Sequence, residues 1–451
     1  MGWLTDKISE LLPLPWGPKK DRDRSFPYPQ ASKPVIIPRD GHPISRRNID
    51  PDALKVMYRL VNHGHKAYLV GGGVRDLLLG KTPKDFDVGT DAHPREMRRL
   101  FTNSMIIGRR FKIVHVRFRN NKIIEVTTFR RKGDEDESRA GLPTLRDNTF
   151  GTPQQDAFRR DITINGLFYN IEDYTIIDYV GGLDDLNNRI VRIIGDPRTR
   201  ITEDPVRIIR AIRHAARTGF LIEKETDRAI RELFATLAHC SPARIHEELI
   251  KELKGGFSRK TLNYFKDYGI LNVLFPEIEE MIETHDITKE RFYGCLRLLD
   301  SLTRSGREFS VPFLFSVPVV PIVIAVAERS VKASEGKGQD IPRLIQGFLG
   351  QSLSRVGVSK HNIDTMRHLL YLNWKMFSMV DRGHIPASLR AKGHFAEAFD
   401  LLSITAKAYG YFPEAPWPPG PGGLEELTRL IHSTRRRRPR RRGRAETRAE
   451  V

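Results

Sequence analysis

The sequence predicts an α+β protein: a mixed α and β domain, then an all-helical region, with extended basic segments at both ends. Three observations predict this. From Ile49 to about residue 200, short β-rich runs alternate with helical ones. After Asp204-Pro205 the apolar residues Ile208, Ile209, Ile212 and Ala216 recur at helical spacing, and that period persists to about residue 410. Residues 1–48 and 413–451 are instead dominated by proline, glycine and basic side chains, which cannot bury a core.

The elements follow in order. Pro27, Pro29, Pro34, Pro38 and Pro43 mark residues 1–48 as an extended arm, so ordered structure is expected to begin near Ile49. Ala67 to Val70 reads as a buried strand leading into Gly71-Gly72-Gly73-Val74-Arg75-Asp76. Consecutive glycines let backbone N–H groups approach a ligand closely, and Val74 to Leu79 continues as a helix whose first turn favours anions. Arg75, in that turn, is expected to reach a phosphate with its planar fork of donors. The Walker phosphate loop is excluded because Arg75 stands where Gly80-Lys81-Thr82 would require the first glycine, and the dinucleotide fingerprint is excluded by Asp76. Phe86 to Val88, Lys112 to Phe118, Lys122 to Phe129 and Tyr174 to Tyr179 read as further strands.

The chemistry concentrates in this first domain. A strand points alternate residues to one face, so Asp85 and Asp87 should lie side by side while Phe86 and Val88 face the core. Two adjacent carboxylates suit Mg²⁺, which takes one or two protein carboxylates and leaves its other positions to water and substrate phosphates. Arg159-Arg160-Asp161 adds two arginines and a third acid that would complete the metal site or help activate an attacking hydroxyl. Glu125 is the rival for that role, although its alternation with apolar neighbours also reads as an ordinary exposed strand residue. Farther on, Arg207, Arg210, Arg213 and Arg217 share one helical stripe. Asp204 with Arg207 supplies both an acceptor and donors, enough to read a base edge without a template. His115 reads as a histidine oriented by local hydrogen bonds, and His285-Asp286 is assigned no chemistry.

Bulk properties narrow the partners. The formal charge of +19 and pI near 9.9 imply a large polyanion, with nucleic acid favoured over a membrane surface because no amphipathic anchor or lipidation signal is apparent. The Arg-rich run from Arg435 to Arg444 should stay disordered until it meets RNA. Cys240 and Cys295 are far apart, which argues against a disulfide framework or structural zinc and suits a cytoplasmic chain. Phe309 to Val326 is the most apolar stretch, but Pro312, Pro318 and Pro321 make it a broken core segment rather than a spanning helix.

Taken in order, Leu69-Val70-Gly71-Gly72-Gly73-Val74-Arg75-Asp76, Asp85-Phe86-Asp87, Arg159-Arg160-Asp161 and Glu203-Asp204-Pro205-Val206-Arg207 resemble the class II tRNA nucleotidyltransferase/poly(A) polymerase family. The resemblance covers about residues 49–275 and, more loosely, extends to about 410. It implies a polymerase-β-like nucleotidyltransferase head (49–200), a helical neck that binds the base and RNA (201–275), a helical body and tail that bind RNA (276–412), and a disordered basic segment (413–451). It further implies that Asp85 and Asp87 bind metal, that Asp161 belongs with the catalytic set, and that Gly71, Gly72, Arg75 and Arg160 contact the nucleotide. Asp204 and Arg207 match the base-reading pair, and Arg210 a further nucleotide contact. The reaction implied is attack by an RNA 3′-hydroxyl on the α-phosphate of ATP with two Mg²⁺ ions, releasing pyrophosphate. Ile106-Ile107-Gly108-Arg109-Arg110-Phe111-Lys112-Ile113-Val114-His115-Val116 and the Arg-rich end resemble the bacterial poly(A) polymerase branch, in preference to the CCA-adding branch. A non-catalytic RNA-binding protein on a decayed transferase head is the reading from another class, and the retained carboxylates argue against it. RNA-decay partners are not specified by the sequence.

Overall fold

The computed structural model describes residues 33–108, 112–131, 150–333, 340–379 and 385–411, in two compact units divided between Leu233 and Phe234. The Arg-rich tail and most of the N-terminal arm lie outside the described residues.

The first unit is built on an eight-stranded mixed sheet. Its strands are β1 (Val35–Ile37), β2 (Ala67–Val70), β3 (Asp87–Thr90), β4 (Ser104–Ile107), β5 (Ile113–Arg117), β6 (Ile123–Thr128), β7 (Leu167–Asn170) and β8 (Ile176–Asp178). They lie in the order β1-β8-β7-β2-β3-β6-β5-β4, antiparallel except for the β3–β6 pair. Around them run α1 (Pro51–Val61), α2 (Gly72–Leu78), α3 (Pro94–Leu100), α4 (Pro153–Arg159), α5 (Gly182–Asn187), α6 (Pro197–Glu203), α7 (Val206–Thr218) and α8 (Lys224–Leu233). The helix starts are written locally. Asp50 accepts from the N–H groups of Asp52 and Ala53 with Pro51 in the first turn of α1, and Thr152 with Gln155 forms a capping box on α4.

Register carries the site. Ile36, Ile177, Phe168, Val70, Asp87, Glu125, His115 and Met105 are successive cross-strand partners through all eight strands. Cross-strand partners share a face, so one row passes from four apolar residues to the ionisable Asp87, Glu125 and His115 before it ends on Met105. Val70, Phe168 and Ile177 on the apolar side join Tyr68, Phe129, Ala157, Val180 and Ile194 in one buried cluster. Gly89, two residues beyond Asp87, is required there: a Cβ at that position would meet the Phe129 ring at 2.7 Å and a Val70 methyl at 3.1 Å.

Three expectations change. Order begins well before Ile49, because Val35 to Ile37 pairs with β8 as an edge strand and the buried His42 ring bonds the Tyr174 carbonyl at 2.8 Å. Proline does not prevent this, since an edge strand needs partners on one side only. Strand β3 begins at Asp87, so Val88 is buried as expected but Phe86 is only half-buried and Asp85 lies in the preceding loop. The apolar stretch is not broken: one helix runs from Val311 to Ala333 with Pro318 and Pro321 inside it.

That helix belongs to the second unit, which is helical among its described residues: a 3₁₀ turn (Phe234–His239), then α9 (Pro242–Lys254), α10 (Ser258–Asp267), α11 (Ile270–Leu274), α12 (Pro276–Glu283), α13 (Asp286–Arg304), α14 (Val311–Ala333), α15 (Ile341–Ser354), α16 (Lys360–Phe377), α17 (Ala387–Arg390) and α18 (Phe395–Ala408). By length and composition α14 alone among the described helices could cross a membrane, but most of it is buried inside this unit, against α13, α16 and α18. A helix apolar all round is a core helix when neighbours cover it, and that burial offsets the hydrogen bonds its prolines forfeit. The buried Asp300 carboxylate accepts from the Ser258 N–H and hydroxyl and from the Arg259 N–H, so one acid on α13 satisfies the start of α10.

Candidate active site

The glycine run makes a turn that other residues would block. Gly71 has φ +74° and ψ −140°, a conformation strained for any L side chain, and a Cβ there would stand 3.2 Å from Arg160 Nη1 and 3.8 Å from Asp87 Oδ2. At Gly73 a Cβ would press on the Asp85 carbonyl at 3.3 Å. The run therefore brings Asp85, Asp87 and Arg160 against the end of β2. Helix α2 starts at Gly72, two residues earlier than the spacing suggests, so the glycines form its first turn.

Arg75 takes a different place from the one expected. Its side chain is fully buried, with Nε and Nη2 donating to Asp76 Oδ1 at 2.9 and 2.8 Å, and Nη1 donating to Asn165 Oδ1 at 2.6 Å and to His214 Nδ1 at 3.3 Å. Asp76 in turn accepts from Arg217 Nη2 at 2.9 Å. A side chain in the first turn of a helix this tightly packed points back beneath the loop, and its terminus lies 3.3 Å from where a Gly72 Cβ would be. Arg75 therefore braces α2 against Asn165 and His214, with its terminus beneath Gly72.

Asp85 and Asp87 sit among negative charges. Asp87 is half-buried, Asp85 exposed, and Glu125 is the register partner of Asp87 on β6. Burial, then the Glu125 charge, pushes the Asp87 carboxyl up to about 6 against the pull of Arg160, with Asp85 adding to the rise. Glu125 is exposed, as its alternation suggests, yet its carboxylate flanks Asp87 and lies 3.4 Å from His115 Nε2. Among the described residues no three His, Cys, Asp or Glu side chains converge in ligating geometry.

Asp161 faces arginines. Its carboxylate accepts from Arg210 Nη1 at 2.7 Å and Arg207 Nε at 3.1 Å. Burial raises its pKa, but Arg210 and Arg207 together outweigh that and hold it below the usual carboxylate range. Arg207 also donates from Nη1 to the Arg200 carbonyl at 2.6 Å and lies 3.5 Å from Glu203, and its backbone N–H donates to the carbonyl of Asp204, the residue that follows α6, at 3.1 Å. Arg160 is gripped by Asp156 at 2.9 Å and stacks over the Phe168 ring at 5.3 Å. Arg200 escaped sequence reasoning: it donates to the carbonyls of Arg159 and Arg160 at 2.9 and 3.2 Å, tying α6 to the Arg159-Arg160-Asp161 turn. Its signal was only its place seven residues before Arg207. Asn165 and His214 carried no signal, because their role exists only once α2 and α7 are folded together.

The segment 67–192 matches the family model of the Poly A polymerase head domain, and 219–282 matches that described as the probable RNA and SrmB-binding site of polymerase A. Across 94% of its length the chain is 37% identical to Poly(A) polymerase I of Escherichia coli O6:H1 and covers 95% of that protein. The chain belongs to the poly(A) polymerase family. The CCA-adding enzyme of Geobacillus sp. (strain WCH70) is 39% identical, but over only 55% of this chain and 59% of that enzyme. Extent rather than local identity therefore separates the two: likeness to the poly(A) polymerase spans both units. A solved CCA-adding enzyme in complex with CTP shares the fold, with TM-score 0.55 at 19% identity over 84% of this chain and 85% of that one.

Proposed function

We propose that this poly(A) polymerase transfers AMP from ATP to RNA 3′ ends without a template, with Mg²⁺ held at Asp85 and Asp87 and with the cytoplasm as its setting. Neither cysteine forms a disulfide, in keeping with that setting. The observation that carries the reading is the crowding of acids beside the glycine turn. Burial, then the charges of Glu125 and Asp85, raise the cost of ionising Asp87, and carboxylate oxygens are the donors a hard divalent cation prefers. Asp85 and Asp87, with Glu125 alongside, would hold Mg²⁺, which lowers the pKa of a bound hydroxyl and neutralises charge on phosphate oxygens.

The remaining steps belong to the chain. Gly71 lacks a side chain where the triphosphate would lie, Gly72 leaves room for the Arg75 guanidinium and would offer its backbone to the nucleotide, and Arg160, fixed by Asp156, sits beside both Gly71 and Asp87 to donate to phosphate oxygens. Arg75 acts through the loop by holding α2 to Asn165 and His214. Asp161 anchors Arg207 and Arg210 on α7, and Asp204 with the remaining donors of Arg207 would read the adenine edge. In this role Asp161 fixes the nucleotide-binding arginines and takes no proton. The basic composition supplies affinity for the RNA strand.

The test is incorporation with single nucleotides. A generic RNA oligonucleotide and a tRNA lacking its terminal CCA are each offered ATP or CTP alone. Extension of both by a ladder of AMP, with little CTP use, is the expected result; addition of two CMP residues to the tRNA from CTP alone, with no AMP ladder on the generic RNA, would contradict it.

A further inference from the structure

The second unit holds a cavity of about 490 Å³ between the ends of α15 and α16 and the segment from α17 to α18. This size suits a nucleotide-sized ligand. Its chemistry is one-sided. Arg367, His368, Tyr371 and Lys375 of α16 line one wall, the first, third and fourth at i, i+4, i+8, and Lys392 and His394 line the other; among the described lining residues none is acidic. Glu397 of α18 has Oε2 3.8 Å from His394 Nδ1, and the Asp364 charge acts on His368 from the same helix.

Two further features point to a planar, anionic ligand. Tyr371 is half-buried and leans on Trp374 with ring centres 6.2 Å apart, while Lys375 Nζ lies 5.8 Å from the Tyr371 ring centre, so a rigid aromatic face is framed by a cation. His368, on the same wall, lies nearly parallel to His394 on the opposite one, with ring centres 6.5 Å apart, and Arg367 donates to His368 Nε2 at 3.2 Å. His394 is held at φ +62°, a conformation a non-glycine residue seldom adopts outside a constrained turn. Burial and the neighbouring charges of Arg367 and His394 lower the His368 pKa, in keeping with crowded positive charge.

We propose that this cavity is a subsite for single-stranded RNA, in which one base stacks on Tyr371 and the adjoining phosphates pair with Arg367, Lys375 and Lys392. An aromatic platform beside clustered cations is how proteins hold single strands without reading sequence, because every base offers a π-face and every linkage a charge. A polymerase that extends varied 3′ ends needs such sequence-blind contacts, and to that extent the inference rests on the proposed function. An acidic peptide would use the cations but not the stacking face.

The test uses the full chain and a 20-nucleotide RNA whose uridines are replaced by 4-thiouridine. Crosslinked peptides are mapped, and RNA affinity is measured against salt for wild type, Tyr371→Ser, Tyr371→Phe and the double variant Lys375→Gln/Lys392→Gln. The expected results are a crosslink within residues 360–377, a loss of about tenfold in affinity for Tyr371→Ser with near wild-type binding for Tyr371→Phe, and a salt slope shallower by roughly 1.4 for the double variant. No crosslink to this helix, or an unchanged salt slope in a folded double variant, overturns the subsite. Displacement of the crosslink by polyglutamate, with Tyr371→Ser binding RNA as wild type does, assigns the cavity to an acidic protein and also overturns it. Wild-type protein that adds no AMP yet shows the crosslink and the slope change would sink the proposed function and leave the subsite standing.

Discussion

Asp87 and Glu125 are register partners on adjacent strands, and the β3–β6 pair that holds them is the parallel one in the sheet. Parallel pairing places the two Cα atoms side by side with their side chains on one face, so each carboxylate is fixed in the field of the other. The enzyme tolerates this at the cost of an Asp87 carboxyl raised to about 6.

If that adjacency serves the divalent ion, neutralising Glu125 should cost activity more than stability. Glu125→Gln is expected to lower AMP incorporation by about 10- to 100-fold, as removal of groups that support a metal site typically does. Its thermal midpoint should scarcely move, because the side chain is about half exposed. Steady-state rates over a Mg²⁺ titration, with a parallel melting curve, check both halves.

His214 gives the pH prediction. Burial, then the charges of Arg75, Arg213, Arg217 and Arg210, hold its pKa well below 6.5, so the folded chain keeps it neutral where the unfolded chain protonates it. The unfolded state therefore binds more protons below pH 6.5, and stability falls as pH drops below that value until the lowered folded pKa is reached. The contribution is at most about 1.4 kcal/mol per pH unit. Urea unfolding of wild type and His214→Asn between pH 7.5 and 5.5 should show a shallower decline in the variant; parallel declines would contradict it.

Gly89 tests the packing under the site. Gly89→Ala places a methyl 2.7 Å from the Phe129 ring and 3.1 Å from Val70, and this overpacking is expected to destabilise the first unit by about 1–3 kcal/mol. Adding Phe129→Leu should recover part of the loss, which a double-mutant cycle by urea unfolding measures.

What the sequence made legible is local. Glycine chemistry found the turn at Gly71, because it depends on neighbours in the chain; period-two alternation put Val88 in the core but failed at Asp85 and Phe86, which precede β3. Arg75 shows the limit: its residue type announces phosphate chemistry, but its direction is set by Asp76, Asn165 and His214, the last two lying 90 and 139 residues away. Asp161 is similar, since its arginine partners lie 46 and 49 residues on and join it only through the fold. Val35 to Ile37 hid among prolines because edge strands with exposed Val35 and Ile36 lack the alternation that marks a half-buried strand. Pro318 and Pro321 misled for the converse reason: burial on nearly all sides kept α14 continuous where local propensity argued for a break.

The most direct measurement is AMP incorporation by Asp87→Asn, with RNA affinity determined on the same preparation. The carboxylate account predicts that extension from ATP is abolished while the RNA dissociation constant stays within about twofold of wild type, since a charge beside the metal contributes little to strand binding. Undiminished extension by the folded variant would contradict it.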